Sequence, residues 1–529
     1  MSTAANPANP AGMDATSDVP TLPPVASGRS RLTDFPDRLG PMVVKELRQG
    51  LRSRAFVAIF ILMQGFICIT LLGSLSTPGT DAGGGPYWAV VWIVLLVALP
   101  MRGMQAVTQE RSATMLELIT LTKLTSYRIV AGKWAALSAQ SLLVVVCLLP
   151  CTMLRYFAFG ISVAEECIAL LLIAAIGMVG NAVGVAVSCF PERWSRGLLM
   201  LGLLFLGLWS VGGVWSMFMF DSFDMFGPSL IAAVATWEFW ICMLLPPLAV
   251  VFFLLFGAGL IAGPAENHST LRRLLVTGVL LVMLGLRVLL DLDPDAFIAF
   301  AVLIFIAAVA DACTDAPRLL PRVTRPFVRA GPFGRIGAWL LAPGWHTAPF
   351  WLLLVVCPLV ALQLPIMGGS GEALGMGLML AIGAGTVFWG TVFDRLMYRH
   401  QPPSLPRMIL IQVIAWILAA FAVAYEAATL TDHVSVSILL PHAMFINLFR
   451  LSEGAALATG GLPFDTDLLM IGLLQTLVAV VILMAMARPL FTGWRRSAAK
   501  ARQDLADRAA AKAAAATTTT PAAPAGTPS

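Results

Sequence analysis

Residues 109–134 read QERSATMLELITLTKLTSYRIVAGKW, and they lie between two strongly apolar runs at 87–107 and 135–154. About twenty consecutive apolar residues cross a bilayer, so both neighbours have the length of a membrane span. Glu110, Arg111 and Glu117 fall within eight residues of one another. A charge at mid-bilayer costs roughly 2.5–3.5 kcal/mol, so three would cost on the order of 8–10 kcal/mol. That keeps the segment in water. Met115, Leu116, Leu118, Ile119 and Leu121 nevertheless make it too apolar for a solvated loop. It reads as a short helix on the water side whose apolar face needs a cover. Two covers stand open: this chain's own span ends, or a separate protein.

The rest of the chain supplies the context. Of 529 residues, 58% are hydrophobic and 12% charged, with a mean hydropathy of +0.85. Soluble proteins carry about 25% charged residues. The fold class is therefore an all-α polytopic membrane protein. Further apolar runs fall at 55–75, 167–190, 197–220 and 237–262, then at 274–290, 296–310, 348–366, 373–393, 408–428 and 468–487. Together they make about 12 transmembrane helices in a 6+6 arrangement, 55–263 and 274–487. Residues 1–34 are small, polar and Pro-rich, without the basic and apolar stretches of a signal peptide; they read as a disordered tail. Residues 488–529 read as a cytosolic helix followed by the low-complexity stretch TTTTPAAPAGTPS.

Charge sets the orientation. With the N-terminus cytoplasmic, alternate connections and both tails hold 31 of the 34 Lys and Arg residues, leaving Arg155, Arg287 and Arg450 on the far side. The 29 acids divide 14 to 15, so the two faces carry about +17 and −12. Such a bias is what the positive-inside rule expects, and it puts both termini in the cytoplasm. The net charge of +5 follows from topology and implies no nucleic-acid partner. The apolar stretch VSVSILLPHAMFINLF (434–449) would invert the C-terminal tail if it crossed, and Pro441 and His442 stand in its middle. It reads as an external helix lying on or dipping into the membrane.

Ahead of the first span comes FPDRLGPMVVKELRQGLRSRAF (35–56). At 100° per residue, Leu39, Val43, Val44, Leu47 and Leu51 share one face, and Lys45, Arg48 and Arg52 the opposite one. Pro41 suits a helix start. Residues 35–54 are expected to form an amphipathic helix in the cytoplasmic interface, apolar side in acyl chains and basic side toward anionic headgroups.

The pairing of GPMVVKELRQGLRSRAF with ERSATMLELITLTKLTSYRIVAGK resembles the permease subunit of type-2 ABC transporters. In that family a pattern close to E-(K/R)-x-x-G-T-L-E-x-L-x-x-T-P-L-S-x-x-x-I-(V/L)-x-G-K follows the second of six spans. Glu110, Arg111, Thr114, Glu117, Leu118, Leu124, Ile129, Gly132 and Lys133 fit it; Ala113 replaces the usual Gly, Met115 departs from the T-L-E run, and Lys123 stands where Pro is usual. The resemblance covers 36–134 and extends in layout to about 263. It implies a coupling helix at 109–124 that docks on a separate ATPase subunit through Glu110, Arg111, Thr114, Leu116, Glu117 and Leu118. It also implies a connecting (elbow) helix that includes Lys45, Glu46, Arg48 and Arg52.

The chain has no P-loop of its own. Its only Gly-Lys pair, Gly132-Lys133, is followed by Trp134, and Tyr127 occupies the place of the first glycine. No cofactor is expected on this chain, and ATP would be hydrolysed on a partner, so the chain itself is not expected to be an enzyme. The eight cysteines form no C-x-x-C, and His268, His346, His400, His433 and His442 show no metal-ligand spacing. No Ser/His, paired-aspartate or H-E-x-x-H arrangement falls within a span.

Residues 274–487 repeat the first half in layout, with a long cytoplasmic connection after the second span. That connection carries five arginines and several prolines but no copy of the coupling pattern, and looks like a lipid-facing basic collar. A degenerate second permease half and an unrelated accessory domain both remain open. Gly180-x-x-x-Gly184, and Gly375, Gly377, Gly383 and Gly385, read as helix-packing positions. The functional expectation is the permease subunit of an ATP-driven exporter in a cell membrane, a bacterial inner membrane by family analogy. Its partners would be a P-loop ATPase, the lipid bilayer and a second permease copy or partner permease. The alternatives are a secondary transporter, or a non-transporting scaffold that binds an ATPase. A proton-coupled carrier usually needs ionisable groups in mid-membrane, whereas Arg102, Arg155, Arg287, Asp311 and Glu426 fall at span ends.

Overall fold

Pro41 lacks the amide proton that a first helical turn leaves unused, and it opens α1 (Pro41–Leu51). Ser53 then turns the chain. Its hydroxyl donates to the Gly50 carbonyl at 2.8 Å and accepts from the Phe56 amide at 3.3 Å. There α2 (Arg54–Ser76) begins, followed by α3 (Gly84–Trp92), α4 (Leu99–Gly103), α5 (Ser126–Phe159), α6 (Val163–Ser188) and α7 (Trp237–Ile261). The computed structural model describes residues 41–76, 84–108, 125–202, 204, 234, 237–290, 294–363, 370–429, 441–443, 445–446 and 466–518. Among them there is no strand.

The second half continues with α8 (Ser269–Leu290), α9 (Pro294–Thr314), α10 (Pro321–Arg329) and α11 (Gly331–Leu341). Then come α12 (Ala348–Trp351), α13 (Cys357–Ala361), α14 (Ser370–Met397), α15 (Leu405–Thr429) and α16 (Thr466–Thr518). Two joints are wide π turns ahead of or beside prolines: Ile93–Ala98 joins α3 to α4, and Leu352–Val356 joins α12 to α13.

Eight of the described helices are long and apolar enough to cross a membrane. They are α2, the joined α3–α4, α5, α6, α7, α14, α15 and the first part of α16. Ala301–Thr314 and Ala348–Ala361 are apolar but shorter, and α8 carries Arg272, Arg273 and Arg287 along its 22 residues. The expected runs at 197–220 and 434–449 fall largely outside the described residues, as does the 1–34 tail. One boundary differs from the sequence reading. The last span and the tail helix are a single 53-residue helix, α16, that passes through Pro489 and includes Thr517 and Thr518. The Ala-, Lys- and Arg-rich stretch beyond Trp494 consists of strong helix formers, so nothing there ends the helix.

Glycines set the closest approaches. A Cβ at Gly177 of α6 would lie 2.8 Å from the Leu95 carbonyl oxygen, and one at Gly184 would collide with the Pro100 carbonyl. The small-residue run of the fourth span is therefore a packing surface, seated on the π turn before Pro100. In α14, Gly385 does the same against Thr476 of α16. One core joins α2, α3, α5 and α6. The largest core takes Phe252 from α7 together with α8, α9, α14 and α16, so the two halves share it. Leu62, Leu72 and Phe421 are 67–73% exposed, as bilayer-facing side chains are.

Candidate functional site

Helix α1 is docked on α5. Met42 of α1 meets Gly132 of α5, where a Cβ would lie 3.1 Å from the methionine Cγ, with Val43 Cγ2 3.9 Å away. One residue on, Lys133 Nζ reaches Glu46 Oε1 at 3.0 Å, with the lysine side chain 2% and the glutamate 15% exposed. Taking a lysine out of water costs several kcal/mol unless a carboxylate meets it. Undocking α1 would strip Glu46 from that lysine. The far end of α1 is fixed as well. Arg102 donates to Gln140 Oε1 at 2.6 Å, to Ser53 Oγ at 2.7 Å and to the Gly50 carbonyl at 3.4 Å.

This arrangement corrects one expectation. The apolar side of α1 was expected in acyl chains, yet of its residues Val43 packs on α5 and Leu51 on the core of α2, α3, α5 and α6, and Gly132 leaves a depression that the adjacent Met42 fills. Lys45, Arg48 and Arg52 are exposed on the outer side, as their spacing indicates. Glu46 instead faces the protein. Its position three residues after Val43, at the edge of the apolar stripe, was the available signal. Its partner, 87 positions away, was not legible.

The described chain stops at Thr108 and resumes at Thr125. Glu110, Arg111, Thr114, Leu116, Glu117 and Leu118 therefore lie outside the described residues. The segment that contains them leaves from just after α4 and returns at the first turn of α5, seven residues before Gly132. Its two anchors, Thr108 and Thr125, adjoin α4 and α5, the helices that hold α1.

Buried charges elsewhere are met by opposite charges. Arg155 Nη1 lies 3.1 Å from Glu166 Oε1, and its guanidinium sits 4.3 Å from the centre of the Tyr87 ring. Arg272 donates to Asp311 at 2.9 Å, with Asp315 at 3.7 Å. Arg273 donates to the carbonyls of Leu340, Ala342 and Gly344 and to Thr347 Oγ1, at 2.7–3.1 Å. Asp315 accepts from Ser269 Oγ at 2.5 Å and from the Gly344 amide at 2.6 Å. Asp394 accepts from Arg395 and Arg407, the latter at 3.1 Å. All three clusters lie at helix ends. Sequence reasoning found Arg155 and Asp311 as span-end charges but not their partners. Among the described residues no group of three or more His, Cys, Asp or Glu side chains could hold a metal ion. Comparison with known protein families, with curated proteins and with solved structures finds no match to this chain.

Proposed function

We propose that this chain is the membrane permease subunit of an ATP-driven exporter, and that a separate ATPase docks on 109–124 beside α1. The observation that carries the reading is the α1–α5 joint. Gly132 and Lys133, which close the segment resembling the ABC permease pattern, are the residues that seat the amphipathic helix through Met42 and Glu46. A force applied to 109–124 would reach α5 and α1 together, which is what a coupling segment and an elbow helix require. In this reading the chain makes twelve spans, with both termini in the cytoplasm of a bacterial inner membrane.

The second half supports one docking segment per chain. Its cytoplasmic connection contains α10 and α11, and α10 is packed on α16, with Phe327 and Trp494 ring centres 5.7 Å apart. A two-ATPase machine then needs a second copy or a partner permease. A secondary carrier is less well supported, because the buried arginines and carboxylates of the described spans already neutralise one another.

Two experiments test the reading. Purification in mild detergent should bring down a P-loop ATPase; a chain that purifies with none contradicts it. On a cysteine-free background, cysteines near 80 and 458 should react with an impermeant thiol reagent from outside, and those near 120, 330 and 500 should not. Labelling near 458 and 500 from one side would overturn the orientation.

A further inference from the structure

Where α16 leaves the apolar part of its course, a cavity of about 1110 Å³ opens between it and the α10–α11 pair. The wall from α16 follows one helical stripe. Val481 and Met484 come first, then Arg488, Arg495 and Arg502 at seven-residue spacing. Seven residues bring a side chain back to the same face about 10 Å further along. Apolar contact thus gives way to positive charge along a single face. The opposite wall changes in the same sense, from Trp339 to Arg335. Trp339 stacks on Phe491 at 5.3 Å between ring centres, at the level where the character changes, as aromatic residues do at a membrane interface.

The lining contains four arginines and no carboxylate. Arg335, Arg488, Arg495 and Arg502 are exposed, and among the described residues none of them is in an ion pair. The nearby acid that does pair, Asp504, is taken by Arg325 at 3.6 Å. The walls are built to stay. Gly331 has φ +59, a Cβ at Gly334 would collide with the Phe327 carbonyl, and Thr324 Oγ1 lies 3.4 Å from Ser497 Oγ.

We propose that this groove binds an anionic phospholipid from the leaflet facing the basic loops. Its phosphate would sit among Arg335, Arg488 and Arg495, and its acyl chains would run along Val481, Met484 and Trp339. An amphiphile is required because Val480, Val481, Met484 and Ala485 of the lining belong to the apolar part of α16, where a soluble acidic peptide would have to enter hydrocarbon. An anionic headgroup is required because no carboxylate is present to meet choline or ethanolamine. The proposal does not depend on the exporter reading.

The test is native mass spectrometry of the full-length chain, titrated in non-ionic detergent with phosphatidylglycerol and with phosphatidylcholine of the same acyl chains. Wild type should hold one phosphatidylglycerol at least roughly tenfold more tightly than phosphatidylcholine, in line with several arginines near one headgroup. The triple variant Arg335→Gln, Arg488→Gln, Arg495→Gln should lose that preference, and the corresponding Arg→Lys triple should keep most of it. A control variant, Arg508→Gln with Lys512→Gln, should bind as wild type does. Equal binding of both lipids, or the same loss in the control, would overturn the proposal in favour of unspecific annular lipid. Displacement of the lipid by millimolar inorganic phosphate would overturn it in favour of a free-anion site.

Discussion

α1 and α11 are both eleven-residue amphipathic helices beside a span, and they use their apolar faces in opposite ways. In α1 residues of that face pack on protein, Val43 against Gly132 beside Met42 and Leu51 against the neighbouring core, and the charged face is outermost. In α11 the face on protein is narrow, with Gly334 against the Phe327 carbonyl and Leu341 against the largest core. Phe333 and Ile336 point away, at 83% and 63% exposed, while Trp339 stacks on Phe491. Amphipathic spacing therefore says that a helix lies at an interface without saying what covers its apolar side. What decides is which helix meets a glycine depression and which helix supplies one. α1 is held as a lever on α5, whereas α11 is held as a wall open to lipid.

The largest expected effect comes from breaking the support behind α11. Arg273 anchors the loop that follows it, its neighbour Arg272 shares Asp315 with it, and Asp311 is 4% exposed beside Arg272. Asp311→Ala leaves Arg272 buried with a carboxylate removed, which should cost about 3–5 kcal/mol. The measurement is the thermal midpoint in detergent. An unchanged midpoint would mean that the network does not hold α11.

The support of α1 should be weaker and local. In a double-mutant cycle of Glu46→Gln and Lys133→Met, the coupling should be about 1–3 kcal/mol. Protease nicking near residues 50–55 should rise in either single variant. Additive effects would show that α1 is seated by Met42 and Val43 alone.

A smaller effect follows from His346, in the loop between α11 and α12. Burial, with the nearby Arg273 adding to it, pushes the imidazole pKa down from 6.5 to about 4, while Asp315 opposes the shift. Well above pH 6.5 the group is neutral in both folded and unfolded chains and contributes no pH dependence. Below it the unfolded chain takes up a proton that the folded chain refuses, so stability falls as pH drops toward 4. The loss between pH 6.5 and 5.5 should be about 1 kcal/mol, and His346→Gln should flatten it.

The helical, membrane-length architecture was legible because its signals are local. Span length, Pro41 and the spacing of Lys45, Arg48 and Arg52 are each read within one helix. The glycine run 180–184 was readable as packing, though not its seat on Pro100. What was not legible depends on distant pairs. Glu46 finds Lys133, Arg155 finds Glu166, and Arg273 finds backbone carbonyls around 340–344, none at a spacing that marks it. The helix beyond 488 was legible from its helix formers, but not that it continues the last span through Pro489 without a break.

The central claim is that 109–124 serves a separate ATPase while α1 serves this chain. Leu116→Asp with Leu118→Asp tests it most directly, in a co-purification that reads both ATPase recovery and membrane yield. An unpaired charge forced into a docking groove should weaken binding at least roughly a hundredfold. The account predicts loss of the ATPase with normal yield of the chain, since its spans and basic flanks are untouched. Retention of the ATPase, or loss of the chain along with it, would contradict the account.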